Sequence, residues 1–272
     1  MNAPEWLQNI TGVLLDVDGV LYRGREILPG AREFLRFLAD QHIPFVYVTN
    51  NSTLSPEGYA RRLDQLGFPA VPSQVVGSAE ATAHLLRKTF PSPLPHLLVI
   101  GEEGLKETLK QYGFTLVETA DQADAVVVGL DRHLSYERVA EATYALRRGV
   151  PFYGTNPDRT FPTERGLAPG AGAILAFLTA ASDRTPTLVG KPERPIFELA
   201  LERLGRPPDQ VVMIGDRLDT DIQGAKRLGL RTILVLTGVT SEPPPPGPAS
   251  PDLTVSTLVE LHHLWRYRVA LA

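Results

Sequence analysis

Gly12-Val13-Leu14-Leu15-Asp16-Val17-Asp18-Gly19-Val20 is the stretch on which the fold turns. Residues 12–15 form an unbroken apolar run, as expected of a strand buried on both faces of a parallel sheet. Two aspartates one residue apart, then a glycine, end the run. In open α/β sheets, ligands bind beyond the carboxyl ends of the strands. Carboxylates at that point can serve as nucleophile, metal ligand or general acid/base. Asp-Xaa-Asp-Gly also suits an ordinary turn. A calcium loop does not fit, because position twelve counted from Asp16 is Ile27 rather than Glu and the flank reads as strand.

Outward from this stretch, apolar runs alternate with amphipathic ones. Residues 31–39 have helical spacing, 43–48 read as a strand, 56–66 as a helix stopped by Gly67, 75–76 as a brief strand and 79–88 as a helix. This βαβαβ order predicts a parallel sheet covered by helices. Pro91, Pro93 and Pro95 then punctuate the chain. The alternation resumes with strands at 97–100, 125–128 and 151–153 and helices at 105–112, 136–147 and 171–181. After a second boundary at 182–186 come strands at 188–189, 211–214 and 232–236, with helices at 195–204 and 222–228. The expected organisation is a Rossmann-like α/β core made of residues 1–91 and 187–272. A smaller α/β domain, 92–186, is inserted into it. The proline-rich segment 241–251 reads as a peripheral loop, and His262-His263 as the surface of a terminal helix.

With 272 residues, 43% apolar and 21% charged, the chain can bury a sizeable core. A net charge of −4 gives no basic footprint for nucleic acid. No apolar run approaches the roughly 18 residues of a membrane span. No cysteine is present, which excludes disulfides, thiolate catalysis and cysteine-bound zinc. Together with the lack of a secretory signal pattern at the N-terminus, this points to the cytoplasm. The 24 prolines fit a hot habitat or a GC-rich genome, and composition does not separate the two.

Three further stretches complete a pattern. Met213-Ile214-Gly215-Asp216 repeats the apolar-run-then-Asp arrangement, with Asp219 and Asp221 just beyond. Asp219 reads as a helix N-cap. Asp16 and Asp216, each at a strand end, suit a hard cation such as Mg²⁺. Val48-Thr49-Asn50-Asn51-Ser52 delivers a hydroxyl and two amides to a strand end, as a turn or as phosphate-oxygen donors. Val189-Gly190-Lys191-Pro192 offers a cation, on the surface or in a site. It is not a Walker loop, since no Gly lies five residues before Gly190 and Pro follows Lys191. A nucleophile with a metal, a donor and a cation is the set that phosphoryl transfer requires.

In this order the motifs resemble those of the haloacid dehalogenase-like superfamily. The chain is most similar to the branch containing 4-nitrophenylphosphatase, phosphoglycolate phosphatase and pyridoxal phosphatase. That branch shares Val127-Val128-Gly129-Leu130-Asp131, Thr155-Asn156-Pro157-Asp158 and Pro169-Gly170-Ala171-Gly172, so the resemblance spans essentially the whole chain. It implies a cap inserted between the third strand and the lysine motif, and a phosphomonoesterase of small soluble metabolites. Asp16 would form an aspartyl-phosphate and Asp18 would act as acid and base. Mg²⁺ would be held by Asp16, the Asp18 backbone carbonyl and Asp216, supported from outside by Asp221. Thr49, Asn50, Asn51 and Lys191 would hold the phosphate. Dehalogenase and phosphonatase members lack an aspartate at the place of Asp18. A phosphotransferase or mutase would use the same intermediate, and a non-catalytic phosphoacceptor or phosphometabolite-binding protein is the rival from another class. Specificity is expected in the inserted domain, from Asn156, Asp158, Arg159 and Arg165. The cap histidine of mammalian pyridoxal phosphatases has no counterpart there. Homodimers through the cap are common among similar proteins, while the residues themselves are silent on assembly.

Overall fold

The computed structural model describes residues 3–247 and 250–269, the last three for their backbone alone. In chain order its regular elements are β1 (Gly12–Leu15), β2 (Tyr22–Arg23), β3 (Glu26–Ile27), α1 (Ala31–Asp40), β4 (Phe45–Thr49), α2 (Pro56–Gln65), β5 (Val75–Gly77) and α3 (Ser78–Thr89). Then come β6 (His96–Ile100), α4 (Glu103–Gln111), β7 (Thr115–Val117), β8 (Ala125–Val128), α5 (Tyr136–Arg147), β9 (Phe152–Gly154), β10 (Thr160–Thr163), β11 (Gly166–Pro169) and α6 (Ala171–Ser182). The chain continues through β12 (Thr187–Leu188), α7 (Arg194–Leu204), β13 (Val211–Gly215), α8 (Gln223–Arg227), β14 (Arg231–Val235), β15 (Leu253–Val255) and α9 (Leu258–Val269).

Packing divides the chain into two units. One holds residues 1–49, 60–76 and 197–272, the other 50–59 and 77–196. The boundaries expected at 92 and 186 therefore differ from the division by packing. The reason lies in α3. Its Ala79, Ala83 and Leu86 join one core with Leu97 and Val99 of β6 and Leu105 and Leu109 of α4. An apolar helix face goes where it is buried, and the prolines at 91–95 follow the helix without separating it from that sheet.

The first unit is built on a six-stranded sheet of order β15-β14-β13-β1-β4-β5. β1 pairs in parallel with both β13 and β4, and β14 pairs in parallel with β13 and β15. Every residue of β1 is buried, as the continuous apolar run requires. Strand order reverses direction at β1, the switch point where open sheets of this kind leave a crevice. On one edge of the unit Phe34 and Phe37 of α1 pack against Trp265 of α9. His262, expected at the surface, instead lies half-buried with its ring 4.9 Å from that of Phe37, and only His263 is exposed. The described part of the proline-rich segment contains no helix or strand, and its residues 248 and 249 lie outside the described residues.

The second unit has a five-stranded sheet, β12-β9-β8-β6-β7, in which every pairing is parallel. Alternate residues feed two cores. Leu98, Ile100, Val126 and Val128 face α5 and α6, whereas Leu97, Val99, Ala125 and Val127 face α3 and α4. Period-two alternation of purely apolar residues is what a sheet covered on both faces needs. β10 and β11 form a separate antiparallel hairpin. Among the described residues, no helix is long and apolar enough to cross a membrane.

Candidate active site

In the first unit, strand register brings two of the acids together. Leu15 pairs with Ile214, so Asp16 and Gly215-Asp216 leave the sheet side by side, and the Asp16 N–H donates to the Ile214 carbonyl at 2.9 Å. Thr49 ends the other neighbouring strand, β4, and is buried. Asp221 arrives by another route. After Arg217, in extended conformation, residues 218–222 make one π-helical turn, a feature frequent at functional sites. The turn folds Asp221 back so that its carboxylate accepts the Arg217 backbone N–H at 3.1 Å.

Carboxylate oxygens of Asp16, Asp216 and Asp221 all lie within 4.8 Å of one another, and all three residues are buried. Three buried like charges this close repel unless protons or a cation intervene. The donor set, all hard oxygens, fits Mg²⁺. The loop after β14 closes on Asp216. The Val239 N–H donates to its Oδ2 at 2.5 Å, and the Thr237 hydroxyl donates to the Gly19 carbonyl at 2.7 Å. A Cβ on Gly238 would fall 1.8 Å from Asp216 Oδ2. Gly19, with φ of +85°, would bring one to 2.5 Å of the same atom. Both positions thus require glycine. No motif in the sequence marks the loop of residues 237–240; its only signal is a glycine soon after an apolar strand.

Asp18 is exposed, unlike Asp16, which is 7% exposed, and its carboxylate is not part of the buried trio. Asp219 does not cap a helix. Arg217 holds the cap position, and the Asp219 carboxylate takes two hydrogen bonds from the Arg217 guanidinium, at 3.1 and 2.8 Å. Those bonds hold its pKa below the usual carboxylate range.

In the second unit a polar network joins three loops. Lys191 is only 3% exposed. The Asn50 amide donates to Asp158 Oδ2 at 3.1 Å and to the Lys191 carbonyl at 3.0 Å. Asn51 Oδ1 accepts from the Thr53 N–H and hydroxyl, both at 2.8 Å, which fixes its side chain in an Asx turn. Asn156, expected to face a substrate, is buried and donates to the Asn50 carbonyl at 2.8 Å. Arg159 and Arg165 are exposed. Arg159 directly precedes β10, and Arg165 sits in the turn between β10 and β11.

Comparison with known proteins completes the picture. Residues 13–115 match the model of a haloacid dehalogenase-like hydrolase family, and residues 188–261 match a second, HAD-hydrolase-like model. An acid sugar phosphatase of Staphylococcus haemolyticus is 40% identical over 235 residues, 86% of this chain and 88% of that one. A thermostable NPPase from Geobacillus stearothermophilus superimposes with a TM-score of 0.85 at 41% identity, covering 92% of this chain and 97% of the other. For 4-nitrophenylphosphatase of Thermotoga maritima the TM-score is 0.87 at 36% identity, with 95% and 98% covered.

Proposed function

The chain belongs to the haloacid dehalogenase-like hydrolases and is a phosphatase, and we propose that it hydrolyses small phosphate monoesters through an aspartyl-phosphate on Asp16. The observation that carries this reading is the buried convergence of Asp16, Asp216 and Asp221, with an exposed carboxylate, Asp18, two residues beyond the first.

In the first half-reaction an Asp16 oxygen bonds to phosphorus, the ester P–O bond breaks, and Asp18 gives its proton to the leaving oxygen. In the second, Asp18 takes a proton from water as that water attacks phosphorus, and the acyl-phosphate bond breaks to regenerate Asp16. A carboxylate nucleophile divides one difficult hydrolysis into two easier steps. Exposure lets Asp18 exchange its proton with solvent between turnovers. Thr49, Asn51 and Lys191 are the groups we assign to the phosphate oxygens, where fixed donors and a cation stabilise developing charge. Asp16, Asp216 and the Asp18 backbone carbonyl would hold Mg²⁺, with Asp221 supporting from outside. When bound, the ion supplies charge neutralisation at the phosphoryl oxygens. The name of the acid sugar phosphatases makes sugar phosphates the first substrates to test. A cytoplasmic enzyme fits a chain without cysteine.

The test uses Asp18→Asn with nitrophenyl phosphate, whose leaving group needs little protonation. Turnover should fall at least ~10²-fold, the lower range for losing general acid/base help. Rapid quench and intact mass should show a phosphate adduct that peptide mapping puts on Asp16. Asp16→Asn should form no adduct and no product. Wild-type turnover by Asp16→Asn would overturn the reading, and transfer to an added alcohol in preference to water would make the protein a phosphotransferase.

A further inference from the structure

We propose that Asn156 and Asp158 are positioning residues that act through Asn50 to hold the Lys191 loop, rather than contacts for the leaving group. The proposal rests on the phosphatase reading, in which Lys191 binds phosphate.

The argument begins with β9 and β12, neighbouring parallel strands in which Leu188 pairs with Gly154. The segments that follow them leave the sheet together, and the Gly190 N–H donates to the Thr155 carbonyl at 2.8 Å. Lys191 is thereby tied to the segment that carries Asn156 and Asp158. The third loop is that of Asn50. Its backbone carbonyl accepts from Asn156 Nδ2 at 2.8 Å and from the Ser78 hydroxyl at 2.6 Å. Its side-chain amide has two N–H groups, and both are committed, one to Asp158 Oδ2 and one to the Lys191 carbonyl. Asn50 Oδ1 is buried and accepts no hydrogen bond among the described residues. The two donated bonds therefore set the orientation of the amide. Asn50, expected among the phosphate donors, has no side-chain N–H left for that task.

Asn156 is fixed from its other end as well. Its Oδ1 accepts the Asp158 N–H at 3.1 Å, which closes a local turn and presents the Asp158 carboxylate to Asn50. The junction has no spare room. A Cβ on Gly190 would lie 2.6 Å from the Thr155 carbonyl oxygen and 2.7 Å from Asn50 Oδ1. At 4% exposure, Asn156 has almost no surface to offer a substrate. The chain Asn156–Asp158–Asn50–Lys191 thus fixes where the lysine begins.

A positioning role predicts a loss that ignores the leaving group. Asp158→Ala should lower kcat/KM about ten- to hundredfold, the range for losing a hydrogen bond to a charged group, and Asn156→Ala, whose partners are neutral, about two- to tenfold. The factor should be the same for a sugar phosphate and for nitrophenyl phosphate. The inhibition constant of inorganic phosphate, which has no leaving group, should rise in parallel. Asp158→Asn keeps an oxygen to accept from Asn50 and should recover most of the loss. Thermal melts identify any variant that does not fold, and Asp158→Asn with Asp158→Ala carries the test should Asn156→Ala be one. Losses confined to the sugar phosphate, an unchanged phosphate inhibition constant, or no loss at all would overturn the proposal. Failure of the wild-type protein to hydrolyse either ester would instead overturn the phosphatase reading beneath it.

Discussion

Two parallel sheets in one chain each carry acids beyond their strand ends, and they treat those acids differently. In the second unit Glu102, two residues past β6, is clamped by Arg132. The guanidinium reaches both carboxylate oxygens at 2.6 Å, and the pairing holds the Glu102 pKa below its ordinary value. In the first unit Asp16, Asp216 and Asp221 are turned onto one another. A bidentate arginine makes a carboxylate a fixed structural element. Gathering carboxylates leaves ligand oxygens converging on one point, an arrangement that a bound cation would stabilise. The same architecture thus yields a scaffold joint in one sheet and the proposed centre for chemistry in the other.

The largest effect should come from removing metal. A chelator should abolish hydrolysis and lower Tm, and Mg²⁺ should restore both. At a hundred times its Kd, a ligand specific for the folded state adds about 2.7 kcal/mol of stability. Ca²⁺ should bind but inhibit, because its looser coordination misplaces the nucleophile. Asp216→Asn sharpens the comparison. It keeps an oxygen for the Val239 N–H but removes one of three crowded charges. Calorimetry should then show no Mg²⁺-dependent shift, with a metal-free Tm at or above that of the wild type. Full activity in chelator, or a lower metal-free Tm for Asp216→Asn, would break the contrast.

The first unit's side of this contrast was legible in the sequence because its signal is local, whereas nothing in the sequence pairs Glu102 with Arg132. Asp16 and Asp216 each follow an apolar run, and parallel pairing of β1 with β13 brings the runs side by side. Other features depend on contacts that no window of residues contains. The β10–β11 hairpin is exposed along most of its length and carries Pro162 and Pro169, so nothing in residues 160–169 alternates. β7 and β15 are three-residue edge strands, too short to show a period. Asn156 reads as a polar loop residue, and only the fold reveals that its partner lies 106 positions away. The π-helical turn that returns Asp221 to the strand end has no composition of its own.

A second, intermediate effect separates chemistry from recognition. If the first unit supplies the acids and the second supplies specificity, the exposed Arg159 and Arg165 are the residues free to meet an anionic substrate. Replacing either by alanine should reduce kcat/KM for the native metabolite about ten- to hundredfold, matching the roughly 1.5–3 kcal/mol of a hydrogen bond to a charged group. Nitrophenyl phosphate, which has no matching group, should be almost unaffected. Steady-state kinetics with both substrates measures the ratio, and equal losses or none would remove these arginines from specificity.

The smallest effect should be that of the clamped acid. Glu102→Gln keeps an acceptor for Arg132 and removes the charge. The Glu102 side chain is 15% exposed, but that of Arg132 is 58% exposed, so solvent screens the pair. Its contribution at neutral pH should be at most about 1 kcal/mol. The sign with pH follows from linkage. The folded pKa is depressed, so the stabilisation is complete above the unfolded value of about 4.3 and is lost as pH falls through the folded value. Urea midpoints of the wild type and Glu102→Gln should differ at pH 7 and draw together in acid. Phosphatase activity at neutral pH should not change, because Glu102 plays no part in the reaction assigned to Asp16 and Asp18. A gap that widened in acid would mean that protonated Glu102 serves the fold better than the ion, and the clamp would no longer explain the difference between the two sheets.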